Sequence, residues 1–223
     1  SGNKAENYGT INIGVNNGGT VTGAVNGIGM TANDGTTALN SGQINMNGAN
    51  AVGMFADGGT VINSADGVIT MNGNGGTIFK TSNDGTAINL GDIVINAQDY
   101  NLFTTTDTDE GNFVNNGNVT VGASGSQVIR VGDNSSVTNN KNIDLNGSNG
   151  FIIYTSGSGN ATNNGTLNIG AGSDNSHGIY MSETANGTVI NSSTGIINVN
   201  GSNSNGMTLA SNDTSASITN KGK

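Results

Sequence analysis

Phe113-Val114-Asn115-Asn116-Gly117-Asn118-Val119-Thr120-Val121-Gly122 decides how this chain folds. An apolar residue stands two before an asparagine, a glycine turn follows, and an alternating Val-Thr-Val closes on glycine. The phrase returns at residues 38–46 (ALNSGQINM), 87–95 (AINLGDIVI) and 161–169 (ATNNGTLNI). Nine asparagines keep the beat: Asn7, Asn40, Asn63, Asn89, Asn115, Asn139, Asn163, Asn191 and Asn220, between 23 and 33 residues apart. A period in the twenties with glycine turns marks a solenoid. Unequal intervals mean loops of different length hung on a constant rung.

Each interval holds three short runs. The first alternates apolar and mostly polar residues, as in Ile44-Asn45-Met46 and Val119-Thr120-Val121. That is the period of a strand with one buried face. The second includes Met54-Phe55-Ala56, Ile78-Phe79-Lys80, Leu102-Phe103-Thr104, Ile129-Arg130-Val131 and Ile153-Tyr154-Thr155. Its first member is always apolar and is expected inward, and its middle member outward. The third leads into the asparagine, as in Val61-Ile62-Asn63, and places every asparagine on the inward side. Three strands per turn, each stacking on its own copy, make a parallel β-helix. The sequence predicts an all-β, right-handed solenoid of about eight turns and roughly 40 Å, at ~4.8 Å per rung. An inward ladder of Asn40, Asn63, Asn89, Asn115, Asn139, Asn163 and Asn191 would satisfy amides that are otherwise buried unpaired. The glycine after each asparagine is expected to take positive φ. Lys141 replaces it once, so that corner should differ.

Composition agrees with a thin core. Of 223 residues 38 are glycine and none is proline, cysteine or tryptophan, with 32% hydrophobic and 9% charged. Such a chain builds no broad globular core, but a solenoid buries each unit on its neighbours. Missing proline suits a sheet that needs almost every N–H. A net charge of -9 argues against nucleic acid and anionic membranes. No run reaches transmembrane length. Residues 1–223 read as a single unit. Residues 15–27 and 171–176 are expected to be inserted loops. No capping helix is evident at either end, so a segment of a longer rod is expected.

The repeated Asn-x-Gly-x-Ile-x-Ile-x-Gly, followed by Gly-Met-Phe-Ala at 53–56 or Gly-Ile-Tyr-Met at 178–181, resembles the passenger regions of bacterial type V autotransporters. It is most similar to those of the very large fusobacterial autotransporter adhesins. The resemblance covers essentially the whole chain and specifies fold more than ligand. It implies a rod exposed on the bacterial surface and held through an outer-membrane barrel outside this chain. It also implies attachment to host cells or other bacteria through a protein or glycan receptor, with no cofactor. A monomer in solution is expected.

Three features carry candidate chemistry. The outward column Phe55, Phe79, Phe103, Arg130, Tyr154 and Tyr180 could stack on sugar rings or meet a protein partner. Equally, like residues at β-stack spacing could simply stabilise the ladder, or the facing could be inverted and the rings core. An acidic edge of Asp34, Asp57, Asp84, Asp107, Asp109, Glu110, Asp133, Glu183 and Asp213 falls between the second and third runs. Asp107-Thr108-Asp109-Glu110 is its best cation candidate, against the plainer reading of a solvated turn. His177, the sole histidine, is expected in a loop; with no cysteine, a zinc site is not supported. The alternative function is a polysaccharide-active β-helix enzyme. It needs carboxylates and a base converging in one groove with Arg130.

Overall fold

The structure, a computed structural model, describes residues 2–18, 20–105, 110–125 and 127–223. Among these there is no helix. Three parallel sheets form a β-solenoid of about eight turns with three strands per turn. The first sheet stacks nine strands, from Lys4–Asn7 to Ser217–Asn220. The second stacks eight, from Thr10–Ile13 to Ile196–Val199, and the third eight, from Ile28–Asn33 to Asn205–Leu209. Registers follow the repeat: Ile69 pairs with Ile44 and Ile93, and Asn89 with Asn63 and Asn115.

The core is a thin column inside the rod. The second sheet points Ile44, Met46, Ile69, Met71, Ile93 and Ile95 inward, all essentially inaccessible to water. The first sheet contributes one apolar residue per turn, among them Val61, Phe113 and Val189. Each such Ile or Val stabilises the fold by about 1.5–3 kcal/mol relative to exposure, which makes a chain this poor in apolar residues foldable.

The asparagine ladder lies inside the first corner. Asn7 Nδ2 donates to Asn40 Oδ1 at 2.8 Å, and the same bond links every turn through Asn63, Asn89, Asn115, Asn139, Asn163 and Asn191 to Asn220, at 2.8–2.9 Å. Asn40 to Asn191 are fully buried. From Asn7 to Asn191 each Nδ2 also donates to the carbonyl at its own corner, as Asn115 does to Gly117 O at 3.0 Å. No amide of the ladder is left without a partner, which is what burial demands.

Two expectations at the corners need correction. The glycines after the asparagines do not take positive φ. They are needed because the turns stack tightly: a Cβ at Gly91 would overlap Gly67 O, and one at Gly117 would overlap Gly91 O. At Gly9, which has no turn stacked before it here, a Cβ would clash with nothing. Lys141 does not break the corner either, since Asn139 Nδ2 donates to its carbonyl at 2.8 Å. The positive φ sits instead between the second and third sheets, two residues before each third-sheet strand. Asn26, Asn50, Gly75, Asp99, Gly125, Asn149, Asn175 and Asn203 hold it in successive turns. Asn, Asp and Gly are the residues that tolerate this conformation.

The two insertions differ. Residues 15–27 contain an antiparallel hairpin, Val15–Asn17 on Thr20–Thr22, rather than a structureless loop. Residues 171–176 form turns without a strand.

Candidate functional site

The third sheet presents two columns outward. One holds Val52, Thr77, Asn101, Gln127, Phe151 and His177; the other, three residues later in each strand, holds Phe55, Lys80, Thr104, Arg130, Tyr154 and Tyr180. Both arise from a bend in every strand. Positions two and three are both buried, as Ile78-Phe79, Leu102-Phe103 and Ile152-Ile153, and pairing skips position two. Two consecutive inward residues break the alternation and move the outward face on by one.

That bend corrects the proposed column. Phe55, Arg130, Tyr154 and Tyr180 are half-buried and outward, as expected. Phe79 and Phe103 are fully buried, because Phe79 pairs with Met54 and Phe103 with Ile129 in the inward column. Lys80 and Thr104 take their outward places. In these two turns both apolar neighbours, Ile78-Phe79 and Leu102-Phe103, face inward at the bend, so the ring does not follow the alternation outward. Inside the rod Phe103 stacks on Phe113 at 4.9 Å and 7°, with Phe79 5.5 Å from the same ring. Outside, Lys80 Nζ lies 5.9 Å over the Phe55 ring, a cation–π distance.

The outward aromatics gather at one place. Tyr154 and Tyr180 stack at 5.8 Å and 8°, and Phe151 and His177 stack beside them at 5.1 Å and 13°. Phe151 meets Tyr154 edge-on at 67°, so the four rings form two walls of a corner. Phe151 and His177 were not picked out from the sequence, although Phe151-x-x-Tyr154 and His177-x-x-Tyr180 recur one turn apart. His177 begins a strand rather than lying in a loop; its Nδ1 is 3.0 Å from Thr208 Oγ1. Burial in the stack pushes its imidazole below the ordinary value.

Three depressions run along this face. One of about 500 Å³ is lined by the aromatic corner with Gln127, Ser182 and Glu183. The next, about 420 Å³, shares Thr184 with it and contains Arg130 and Asp133. A third, about 360 Å³, shares Thr105 and Arg130 with the second and reaches Lys80 and Asn101. Together they form a shallow groove parallel to the rod axis.

Of the acidic edge, Asp133 and Glu183 border this groove, and Asp57, Asp133 and Asp213 are tied into the turns. Asp57 Oδ1 accepts from Ser82 Oγ at 2.8 Å and Asn83 Nδ2 at 2.6 Å, which holds its carboxyl below the usual carboxylate range. Asp213 is held low by Ser215 in the same way. Asp133 Oδ1 accepts the Ser158 N–H at 2.9 Å. Of the cation candidate, Asp107, Thr108 and Asp109 lie outside the described residues. Glu110 is described, and the hydrogen bond and charge of Asp84 push its carboxyl upward. Among the described residues no three acidic or histidine side chains come together as a metal ligand set. Compared with protein-family models, curated proteins and solved structures, the chain matches none.

Proposed function

We propose that this chain is a surface-displayed, non-catalytic β-helical stalk segment whose third-sheet face makes an adhesive contact with a host-cell or bacterial receptor. One observation supports this reading best. The third sheet gathers Phe55, Tyr154, Tyr180, Phe151, Lys80 and Arg130 on its outer face. Aromatic and arginine side chains are what contact sites concentrate. The first sheet places no aromatic or arginine side chain in its outer columns, which are Thr, Ser, Asn and aliphatic residues such as Ile62 and Ile88, with Lys4 and Glu6 paired to each other in the first strand. The resemblance to autotransporter passengers supplies the setting: display at the bacterial surface, anchored through a barrel outside this chain.

One observation favours the enzymatic alternative. Asp133 shares a depression with Arg130, and Glu183 lines the adjoining one. Glycoside hydrolysis needs two carboxylates set across one bond. Asp133 already accepts two hydrogen bonds from Ser158, from its N–H and its hydroxyl, which suits a turn staple better than a proton carrier.

The test is adherence of the labelled chain to host cells and to bacteria. Tyr154→Ser with Tyr180→Ser and Arg130→Gln should lower adherence at least tenfold while melting temperature changes little. Undiminished adherence of this variant overturns the assignment of the face. Release of new reducing ends or unsaturated sugars from polysaccharides would transfer the function to the alternative.

A further inference from the structure

We infer that the groove on the third sheet binds a neutral oligosaccharide lying along the rod axis, with a pyranose seated on the Phe151, Tyr154 and Tyr180 corner. This rests on the reading of that face as the contact surface and specifies its ligand. Four features of the groove converge on it.

The first is charge. The chain carries a net charge of -9, yet the charged residues lining the three depressions are Lys80, Arg130, Asp133 and Glu183, two of each sign. A groove of balanced charge on an acidic rod suits neither a polyanion nor a cationic peptide. The second is the polar lining, which is hydroxyl and amide: Thr77, Thr104 and Asn101 at one end, Gln127, Ser182 and Thr184 at the other. Such groups both donate and accept, as a polyhydroxylated ligand requires. The third is the aromatic corner, where Phe151 stands 59–67° from the tyrosine rings. An apolar sugar face packs on such a surface while its hydroxyls reach the polar rim.

The fourth is the spacing. From the Val52 rung to those of Thr77, Asn101, Gln127, Phe151 and His177 is five steps, or about 24 Å at ~4.8 Å each. An extended glycan advances by a similar step per pyranose, so about five to six sugar units match the groove, each meeting one rung.

Binding is tested by calorimetry and tyrosine fluorescence. The probes are neutral hexose and N-acetylhexosamine oligosaccharides of about one to eight units, with sialylated and sulfated counterparts alongside, at physiological salt. Affinity should rise with length, level off at about five to six units, and fall at least tenfold in Tyr154→Ser/Tyr180→Ser. Arg130→Gln and Lys80→Gln should weaken the longer oligosaccharides, which reach those rungs, several-fold more than the monosaccharides. Circular dichroism and melting establish that each variant is folded. Tighter binding of the anionic set, or no binding of any neutral probe, overturns the inference. If the chain still adheres to cells in that case, the contact face stands and its ligand is of another class. If adherence is absent as well, both fail.

Discussion

The third sheet carries two aromatic clusters that are made by the same repeat and lie on opposite sides of the backbone. Phe79 and Phe103 meet Phe113 inside the rod, fully buried. Phe151, Tyr154, His177 and Tyr180 meet outside it, one to four turns further on. The two clusters differ by their position in the rung. At position three an aromatic ring joins the core, and at positions one and four it joins the surface. The inner cluster is closed on every side and can only stabilise. The outer one keeps polar and charged neighbours, Gln127 and Glu183, and an open depression. A repeat that fixes backbone register this tightly lets one substitution per turn choose between scaffold and site.

The contrast can be broken at several strengths. Phe103→Ala should cost about 3–5 kcal/mol, as emptying a closed aromatic cluster does. Thermal or denaturant melting reads this. Asn115→Leu comes next, at about 3 kcal/mol. It takes one of the two Asn89 Nδ2 bonds, leaving that to Gly91 O, and strands Asn139 Oδ1 in a fully buried column, each lost partner costing about 1–3 kcal/mol. Unchanged melting would contradict the ladder. Tyr180→Ala, on the outer side, should cost only about 1 kcal/mol, the worth of an exposed ring stack. Thr155 follows Tyr154 and points inward, where its hydroxyl is buried without a hydrogen-bond partner. Thr155→Val should therefore raise stability by about 1 kcal/mol.

The smallest effect is the pH dependence of the outer stack. Burial lowers the folded pKa of His177 below its ordinary 6.5, so near that pH the unfolded chain binds more protons than the folded one. Stability is full above about 6.5 and declines as pH falls through the folded value. Melting followed from pH 7.5 to 5 should show a decline that is shallower in His177→Phe. Asp57 and Asp213, held below the usual range, stay ionised across this window.

Much of this molecule was legible in its sequence, for a physical reason. A side chain alternating every second residue beside a fixed asparagine leaves one register for the first and second sheets, and Asn40 to Asn191 stack as that register requires. The third sheet was harder, because its strands bend and bury two residues in succession. At Ile78-Phe79 and Leu102-Phe103 both residues are apolar, so alternation alone cannot say which side of the bend the larger ring takes. At Gly53-Met54-Phe55 the first residue is glycine, and the ambiguity vanishes. The outer cluster was half visible. Tyr154 and Tyr180 fell in the right column, whereas Phe151 and His177 join them only once the bend brings residues three apart to one face. The corner glycines were found for the wrong reason, because close approach of stacked turns is a tertiary fact that local turn chemistry does not contain.

The chain has no cysteine, so single cysteines can report which side each position faces. Variants Phe79→Cys, Lys80→Cys, Phe103→Cys, Thr104→Cys, Ile153→Cys and Tyr154→Cys, treated with a charged thiol reagent under native conditions, read the register directly. We expect rapid labelling at 80, 104 and 154 and protection at 79, 103 and 153 until the protein unfolds. Rapid native labelling at 79 and 103, with protection at 80 and 104, would contradict the division between core and contact face.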